Sequence, residues 1–300
     1  MKKGIYAFLL LASLAVFGFW WLGQENEKVK HSAQAAEKKQ IVASGYVVYD
    51  LLRSIGGDKI AVTQLVPPGT EPHHFEPTPG TIIRISEADL LVYVSAELEP
   101  WVKEILKGLA DVPSLAAGPV YEGEDPHVWI SPYGALAMAK EIEKALVTLD
   151  PQNKAYYRKN LKKFEKEIEQ LHQDFKQGLS ACQTKEMVHV GHLAFGALAR
   201  DYHLNFHALT GTSHQSEHSV KKMAALVKMI KNQKVSAVFT EELLAPDLAQ
   251  MVSAETGVQI LPLYTIQGVS KTDFEQGKTY QDFMRQNLEN LQKGLVCPAL

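Results

Sequence analysis

The chain has 300 residues, of which 46% are apolar and 22% are charged. This composition is ordinary for globular proteins, and the length suffices for two hydrophobic cores of roughly 100–150 residues each. Composition and length together argue against a disordered chain, collagen-like repeats and a polytopic membrane protein. The net charge of -3 provides no basic domain to neutralise phosphates, so we expect no nucleic acid partner. Because two cysteines accompany eleven histidines, a metal site in this chain must use histidine.

The first 40 residues are typical of an export signal or an N-terminal membrane anchor, followed by a linker. Lys2 and Lys3 precede an unbroken apolar run over 5–22, and a polar, charge-mixed stretch follows. The run is long for a signal-peptide core and just long enough to span a bilayer, so the pattern leaves open whether the segment is cleaved. No cysteine lies near it, and we expect no lipid-modified cysteine anchor. We expect the rest of the chain to work in the periplasm or at the outer face of the cytoplasmic membrane.

After residue 40, short apolar strands alternate with helices, which favours parallel α/β sheets. In the first half, strands and helices are expected at 40–50, 50–56, 60–66, 86–94, 101–109, 127–129 and from 131 onward. The pattern restarts at 187–190, 193–202, 204–209, 220–231, 237–240, 247–256 and 259–263. The sequence therefore predicts two lobes, each a mainly parallel sheet with flanking helices, over 41–149 and 181–300.

Residues 150–180 between the lobes have the pattern of one long helix. Asp150-Pro151 combines an N-cap residue with proline at the first helical position. Apolar residues then recur at the α-helical period, at Tyr157, Leu161, Phe164, Ile168, Leu171, Phe175 and Leu179. A helix of this length measures about 45 Å and is expected to join both lobes. A free coiled coil is the alternative, but the apolar stripe lasts barely three heptads.

Three histidine motifs lie where predicted strands meet loops or helices. They are PHHFEP at 72–77, DPHVW at 125–129 and GHLAF at 191–195. Open α/β sheets place ligand-binding groups at the carboxyl ends of strands, so these histidines can converge on one cleft. From spacing alone, a metal site and ordinary surface or hydrogen-bonded histidines both remain open.

In this order, the motifs resemble those of the cluster A solute-binding proteins of bacterial zinc and manganese ABC importers, the ZnuA/TroA-like group. The Asp150-Pro151 helix, VFTE at 238–241 and TGV at 256–258 match as well, and the resemblance spans 41–295. It implies a protein that is not an enzyme. It implies that the chain captures a metal ion between two lobes and delivers it to an ABC transporter permease. We expect a monomer that contacts the membrane through its N-terminus only.

The resemblance also implies a ligand set. The family's first ligand is the histidine two positions before the aromatic residue, which is His73 here, whereas His74 falls at a variable position. The second and third ligands match His127 and His192. Relatives that bind manganese carry a carboxylate at the third position, so we expect Zn²⁺ rather than Mn²⁺, in keeping with the preference of zinc for imidazole nitrogen.

The fourth ligand position departs from the family pattern. Many relatives have an aspartate after the last strand of the second lobe, where this chain has Tyr264. Water or Glu241, at the end of the strand 237–240, could complete the coordination. Glu241 could also accept a hydrogen bond that orients an imidazole, and the second role is the one we expect.

The remaining histidines and the two cysteines have less definite roles. His207, His214 and His218 are either weak accessory ligands or solvated loop residues. A disulfide between Cys182 and Cys297 is compatible with export, although the sequence does not establish that the two residues are close enough to bond.

Two other functions compete with metal uptake. Three histidines and an open coordination position also describe a zinc hydrolase. Such an enzyme needs a positioned general base, for which Glu76 and Glu241 are the candidates, and the sequence has no His-Glu-x-x-His motif. A metal-binding surface adhesin of the same fold is the second alternative.

Overall fold

The protein is described by a computed structural model over residues 38–70, 75–118, 125–211, 220–233, 235–242 and 247–298. A compact unit begins at Lys39, and the N-terminal export or anchor segment expected from the sequence lies outside the described residues. Over the described ranges, none of the helices combines the length and apolar character needed to cross a membrane.

The first half contains a sheet of four parallel strands in the order β2-β1-β3-β4. The strands are β1 (Lys39–Ala43), β2 (Ile60–Gln64), β3 (Leu90–Tyr93) and β4 (Ser114–Ala116). The flanking helices are α1 (Tyr46–Gly56), α2 (Pro79–Ser86), α3 (Pro100–Gly108) and α4 (Pro132–Leu149). Because helices cover parallel sheets, the two inner strands have continuous buried runs: β1 ends in three consecutive buried residues and β3 begins with three. The prediction of a parallel α/β sheet is confirmed for this half.

One long helix, α5 (Lys154–Gly178), follows a short 3₁₀ turn over Pro151–Asn153. Its 25 residues measure about 37 Å, and it packs against α4 and α1. Most of the predicted apolar stripe is buried. As predicted, Asp150 is the N-cap residue of the helical segment and Pro151 lies in its first positions, although the 3₁₀ turn precedes the α-helix and the cap has no side-chain hydrogen bond to the backbone. The carboxylate of Asp150 accepts hydrogen bonds from the side chains of Tyr157 and Asn153.

The second half repeats the arrangement with four parallel strands in the order β6-β5-β7-β8. The strands are β5 (Glu186–His189), β6 (Asn205–Ala208), β7 (Ala237–Glu241) and β8 (Gln259–Leu263). The helices are α6 (Gly196–Asp201), α7 (Val220–Gln233), α8 (Asp247–Thr256), α9 (Lys271–Glu275) and α10 (Tyr280–Gly294). In both sheets the strand order reverses next to the first strand, and the carboxyl ends on either side of such a reversal are where ligands bind in α/β folds.

The largest apolar cluster among the described residues contains side chains of both halves. It extends from Ile41 in β1 through the buried face of α5 to Leu295 after α10. Trp129 and Tyr280 are both fully buried in it, and the Tyr280 hydroxyl donates to the Trp129 carbonyl at 2.7 Å. The loop that carries His127 is therefore packed against an element of the second half.

The chain end is tied to the start of the second half by a disulfide between Cys182 and Cys297, which are 115 residues apart. Backbone hydrogen bonds from Gln183 to Val296 and from Thr184 to Leu295 run beside it. Both cysteines pack against the main core, so the bond joins segments that also pack together.

Candidate metal centre

His192 lies just after β5, beside the carboxyl end of the neighbouring strand β7. Glu241, the last residue of β7, accepts two hydrogen bonds on Oε1, from the His192 backbone N at 3.0 Å and from its Nδ1 at 2.7 Å. Both side chains are buried, with exposed fractions of 1% and 5%. Since a carboxylate oxygen accepts, Nδ1 of His192 is the donor of this hydrogen bond, and Nε2 is the ring nitrogen left to contact another group.

The turn that presents His192 needs a glycine at position 191. A Cβ at Gly191 would lie 2.4 Å from Oε1 of Glu241 and 2.6 Å from Cε1 of His189. His189 was not predicted from the sequence as a site residue. It is fully buried, and its Nδ1 donates to the His192 carbonyl at 3.2 Å; its position at the end of a predicted strand was the signal for it. His189 and Glu241 thus hold the turn from both sides.

His127 has the same arrangement in the loop that leads into α4. Oδ1 of Asp125 accepts from the His127 backbone N at 2.9 Å and from Nδ1 at 2.7 Å. His127 is fully buried. Burial lowers its pKa, although the neighbouring Asp125 acts in the opposite direction. The imidazole is therefore neutral at neutral pH, which is the form that binds metals.

The two imidazoles face each other. Nε2 of His127 lies 3.2 Å from Nε2 of His192. Each Nδ1 faces a carboxylate, so the Nε2 atoms are the ring nitrogens available to bind a cation between the two rings. Two nitrogens at the zinc bond length of about 2.0–2.1 Å and a tetrahedral angle lie about 3.3–3.4 Å apart. The observed separation is close to this spacing, and it is also the distance of a hydrogen bond when one of the two Nε2 atoms carries a proton.

Comparison with known proteins identifies the family. The model of the family described as "Zinc-uptake complex component A periplasmic", ZnuA, matches residues 41–294. The chain belongs to the ZnuA family. It is 32% identical over 298 residues to the high-affinity zinc uptake system protein ZnuA of Bacillus subtilis, covering 91% of this chain and 93% of that protein. The resemblance drawn from the motifs is confirmed.

Other members of the ZnuA family differ in length. The zinc-binding lipoprotein AdcA of Streptococcus pneumoniae is 31% identical and aligns with 95% of this chain, but this chain spans only 60% of AdcA. These relatives are metal-binding transport proteins rather than enzymes, and the hydrolase alternative is not favoured.

Solved structures of ZnuA-like proteins share the fold. The Zn(II)-bound ZnuA-like domain of S. pneumoniae AdcA has a TM-score of 0.77 and 31% identity, covering 86% of this chain and 99% of that domain. The laminin-binding protein Lmb of Streptococcus agalactiae, described as having adhesin and metal-transporting activity, has a TM-score of 0.79 and 30% identity, with 86% and 99% covered. The two-lobed α/β fold expected from the sequence is confirmed.

The first expected ligand of the ZnuA-type site is His73. Its position is not described, because His73 and His74 lie outside the described residues. Over the described part of the chain, no group of three or more His, Cys, Asp or Glu residues is arranged to hold a metal ion. The structure therefore brings together two of the three expected ligands, His127 and His192, with Glu241 beside the second.

Tyr264, at the position where many relatives have an aspartate, is held within the second half. Its backbone N and carbonyl are bonded to the Asn287 side chain at 2.7 and 2.9 Å. Its ring packs on Phe283 at 5.2 Å between centroids. These contacts give the tyrosine a packing role.

The other histidines named as accessory ligands are only partly described. His207 on β6 has its Nε2 2.7 Å from Oε2 of Glu186 on the neighbouring strand β5. The same carboxylate accepts from Asn205 at 2.6 Å through its other oxygen. This arrangement is a cross-strand hydrogen-bond pair at the sheet edge. His214 and His218 lie outside the described residues.

Proposed function

We propose that this chain captures Zn²⁺ outside the cytoplasmic membrane and delivers it to the permease of an ABC transporter. The observation that carries the proposal is the pair of buried imidazoles whose Nε2 atoms lie 3.2 Å apart, each oriented by a carboxylate. The names of the relatives, which include a zinc uptake protein and a Zn(II)-bound domain, support zinc as the cargo.

In this proposal His127 and His192 supply two nitrogens and His73 supplies the third. Nitrogen ligands favour Zn²⁺ over the harder Mn²⁺, which prefers oxygen. Glu241 acts through His192, because its Oε1 already accepts two hydrogen bonds from that residue. The coordination is completed by water or by a group that the permease or the chain supplies.

The proposal includes the organisation of the whole chain. Residues 1–40 export the protein and contact the membrane, residues 41–149 and 181–300 form the two metal-binding lobes, and residues 150–180 join them. The protein works as a monomer in the periplasm or at the outer face of the cytoplasmic membrane. The family description "periplasmic" and the lipoprotein name of AdcA support an extracytoplasmic location.

The carboxylates at the histidine pair argue against a hydrolase. A general base must be available to activate water, but Asp125 and Glu241 both accept imidazole N–H groups. Glu76, the other base nominated from the sequence, is exposed to solvent. Adhesion to laminin is a second candidate function, favoured by the structural likeness to Lmb.

Zinc titration of histidine variants tests the proposal. We expect one zinc ion per chain, strong loss of affinity in H192A and H127A, and wild-type affinity in H207A, whose side chain bonds Glu186. Comparing H73A with H74A tests the first motif, and only H73A should weaken binding. Wild-type affinity in H192A, measured by competition with a chelator, would contradict the proposal.

A further inference from the structure

Asp125 touches both halves of the molecule. Its Oδ1 accepts from the backbone N and Nδ1 of His127, and its Oδ2 accepts from the backbone N of Gly196 at 2.6 Å. Gly196 begins α6 in the second half, 71 residues away in the chain. One buried carboxylate therefore holds a metal-ligand candidate of the first half and a backbone group of the second half.

We propose that Asp125 is a positioning residue that couples the orientation of His127 to the contact between the two lobes. This inference rests on the proposed zinc function. The carboxylate is rigid and planar, so a shift of Oδ2 away from Gly196 turns Oδ1 away from Nδ1 of His127. When the two lobes are in contact, His127 is fixed in the orientation that faces His192, and when the contact is lost, this support is lost as well.

The packing around Gly196 makes the coupling tight. A Cβ at this position would lie 2.8 Å from Oδ2 and 3.3 Å from Cβ of Asp125. No side chain fits there unless Asp125 moves, so glycine is needed for the close approach. Glycine, the smallest residue, therefore stands at position 196, where the Asp125 carboxylate contacts the second half.

The corresponding carboxylate on the other imidazole lies in the same half as its histidine. Glu241 and His192 both belong to the second half, on β7 and just after β5. The two carboxylates therefore perform the same local task on an imidazole, whereas the bond of Asp125 to Gly196 crosses between the halves. Glu241 can therefore be compared with Asp125 as a carboxylate that orients an imidazole without bonding the other half.

A second contact of α6 with the first half supplies a control. The Ser131 hydroxyl, at the start of α4, donates to Asp201, the last residue of α6. This hydrogen bond joins the halves without touching either imidazole. Removing it tests whether the adhesion of the lobes by itself sets zinc affinity.

The experiment is a double-mutant cycle on the full chain, with zinc affinity and zinc release rate measured against a competing chelator. D125A removes the carboxylate and should weaken zinc binding about 10–100-fold, the usual effect of losing a hydrogen-bond partner of a metal ligand. G196A, which touches no ligand, should weaken binding about tenfold by displacing Asp125. In the D125A background, G196A should change affinity by less than about twofold, because the new methyl group no longer meets a carboxylate.

The controls distinguish the possible failures. S131A should keep wild-type zinc affinity and release rate, and circular dichroism with thermal unfolding of each zinc-free variant verifies folding. Equal losses from G196A in the wild-type and D125A backgrounds would overturn the coupling while leaving zinc binding intact. If the wild-type chain itself binds no zinc, the proposed function fails first.

Discussion

Glu99, a buried carboxylate outside the histidine pair, gives a quantitative prediction for stability. It precedes α3, is 6% exposed, and accepts a hydrogen bond from the Val94 backbone N at 2.6 Å. Burial raises its pKa from 4.5 to about 7, against the opposing effects of hydrogen bonds from the Ser44 side chain and from the backbones of Val94 and Ser95. We therefore expect Glu99 to be protonated in the folded protein at mildly acidic pH.

The sign and size of the effect follow from linkage. The folded state holds the proton of Glu99 more tightly than the unfolded state, so its contribution to stability is present below the unfolded pKa and is lost as pH rises through about 7. Between about pH 5 and about pH 8.5 the free energy of unfolding falls by about 2–3 kcal/mol on this account. For a chain of this size, that is roughly 5–10 °C in Tm.

The E99Q variant tests this, since glutamine keeps an oxygen acceptor for Val94 but cannot ionise. Thermal unfolding of the zinc-free protein is measured across this pH range, with E104Q as the control because Glu104 is exposed on the same helix. E99Q should gain Tm relative to wild type as pH rises, and E104Q should not. Parallel curves for E99Q and wild type would show that Glu99 ionises like an exposed residue and would refute the reasoning.

Three further predictions concern the metal centre and the disulfide. E241Q should weaken zinc binding about 10–100-fold, because Glu241 orients His192; unchanged affinity in a chelator competition would exclude that role. Zinc affinity should decline as pH falls below about 6.5, because protonated imidazoles do not bind the metal. His127 should become protonated at a lower pH than an exposed histidine, since burial lowers its pKa. Constant affinity down to a pH of about 5 would exclude imidazole ligation. Replacing Cys182 and Cys297 by serine should cost about 2–4 kcal/mol of stability, measured by denaturant unfolding, and an unchanged midpoint would show that core packing alone holds the chain end.

Local periodicity explains what the sequence predicted of the fold. Most strands of the two sheets, many of the flanking helices and the apolar stripe of α5 could be predicted, because the residue pattern of each lies within one continuous stretch of sequence. Three helices, α2, α9 and α10, were missed although their start signals are present; at α9 the Ser270 side chain accepts from the Asp273 backbone N. Thr78 and Thr81 form a capping box at α2, and Thr279 and Asp282 form one at α10. Their apolar faces are defined by packing against distant segments, which local pattern does not show.

The same distinction between local patterns and distant contacts applies to the residues of the site. His127 and His192 were found from their motifs, and Glu241 was named as an acceptor that could orient an imidazole. The bond between Asp125 and His127 was not predicted, although the two residues lie only two positions apart in the sequence. The bond of Asp125 to Gly196 spans 71 residues, and a tertiary contact of that kind leaves no periodic signal in a single sequence.

The central claim is that His127 and His192 bind the same zinc ion through their Nε2 atoms. A crystal structure of the zinc complex, with the ion located by its anomalous scattering, tests it most directly. We expect one strong peak per chain at about 2.0–2.1 Å from both Nε2 atoms, with His73 as the third nitrogen ligand. A single peak elsewhere, with the two imidazoles still facing each other without metal between them, would contradict the account.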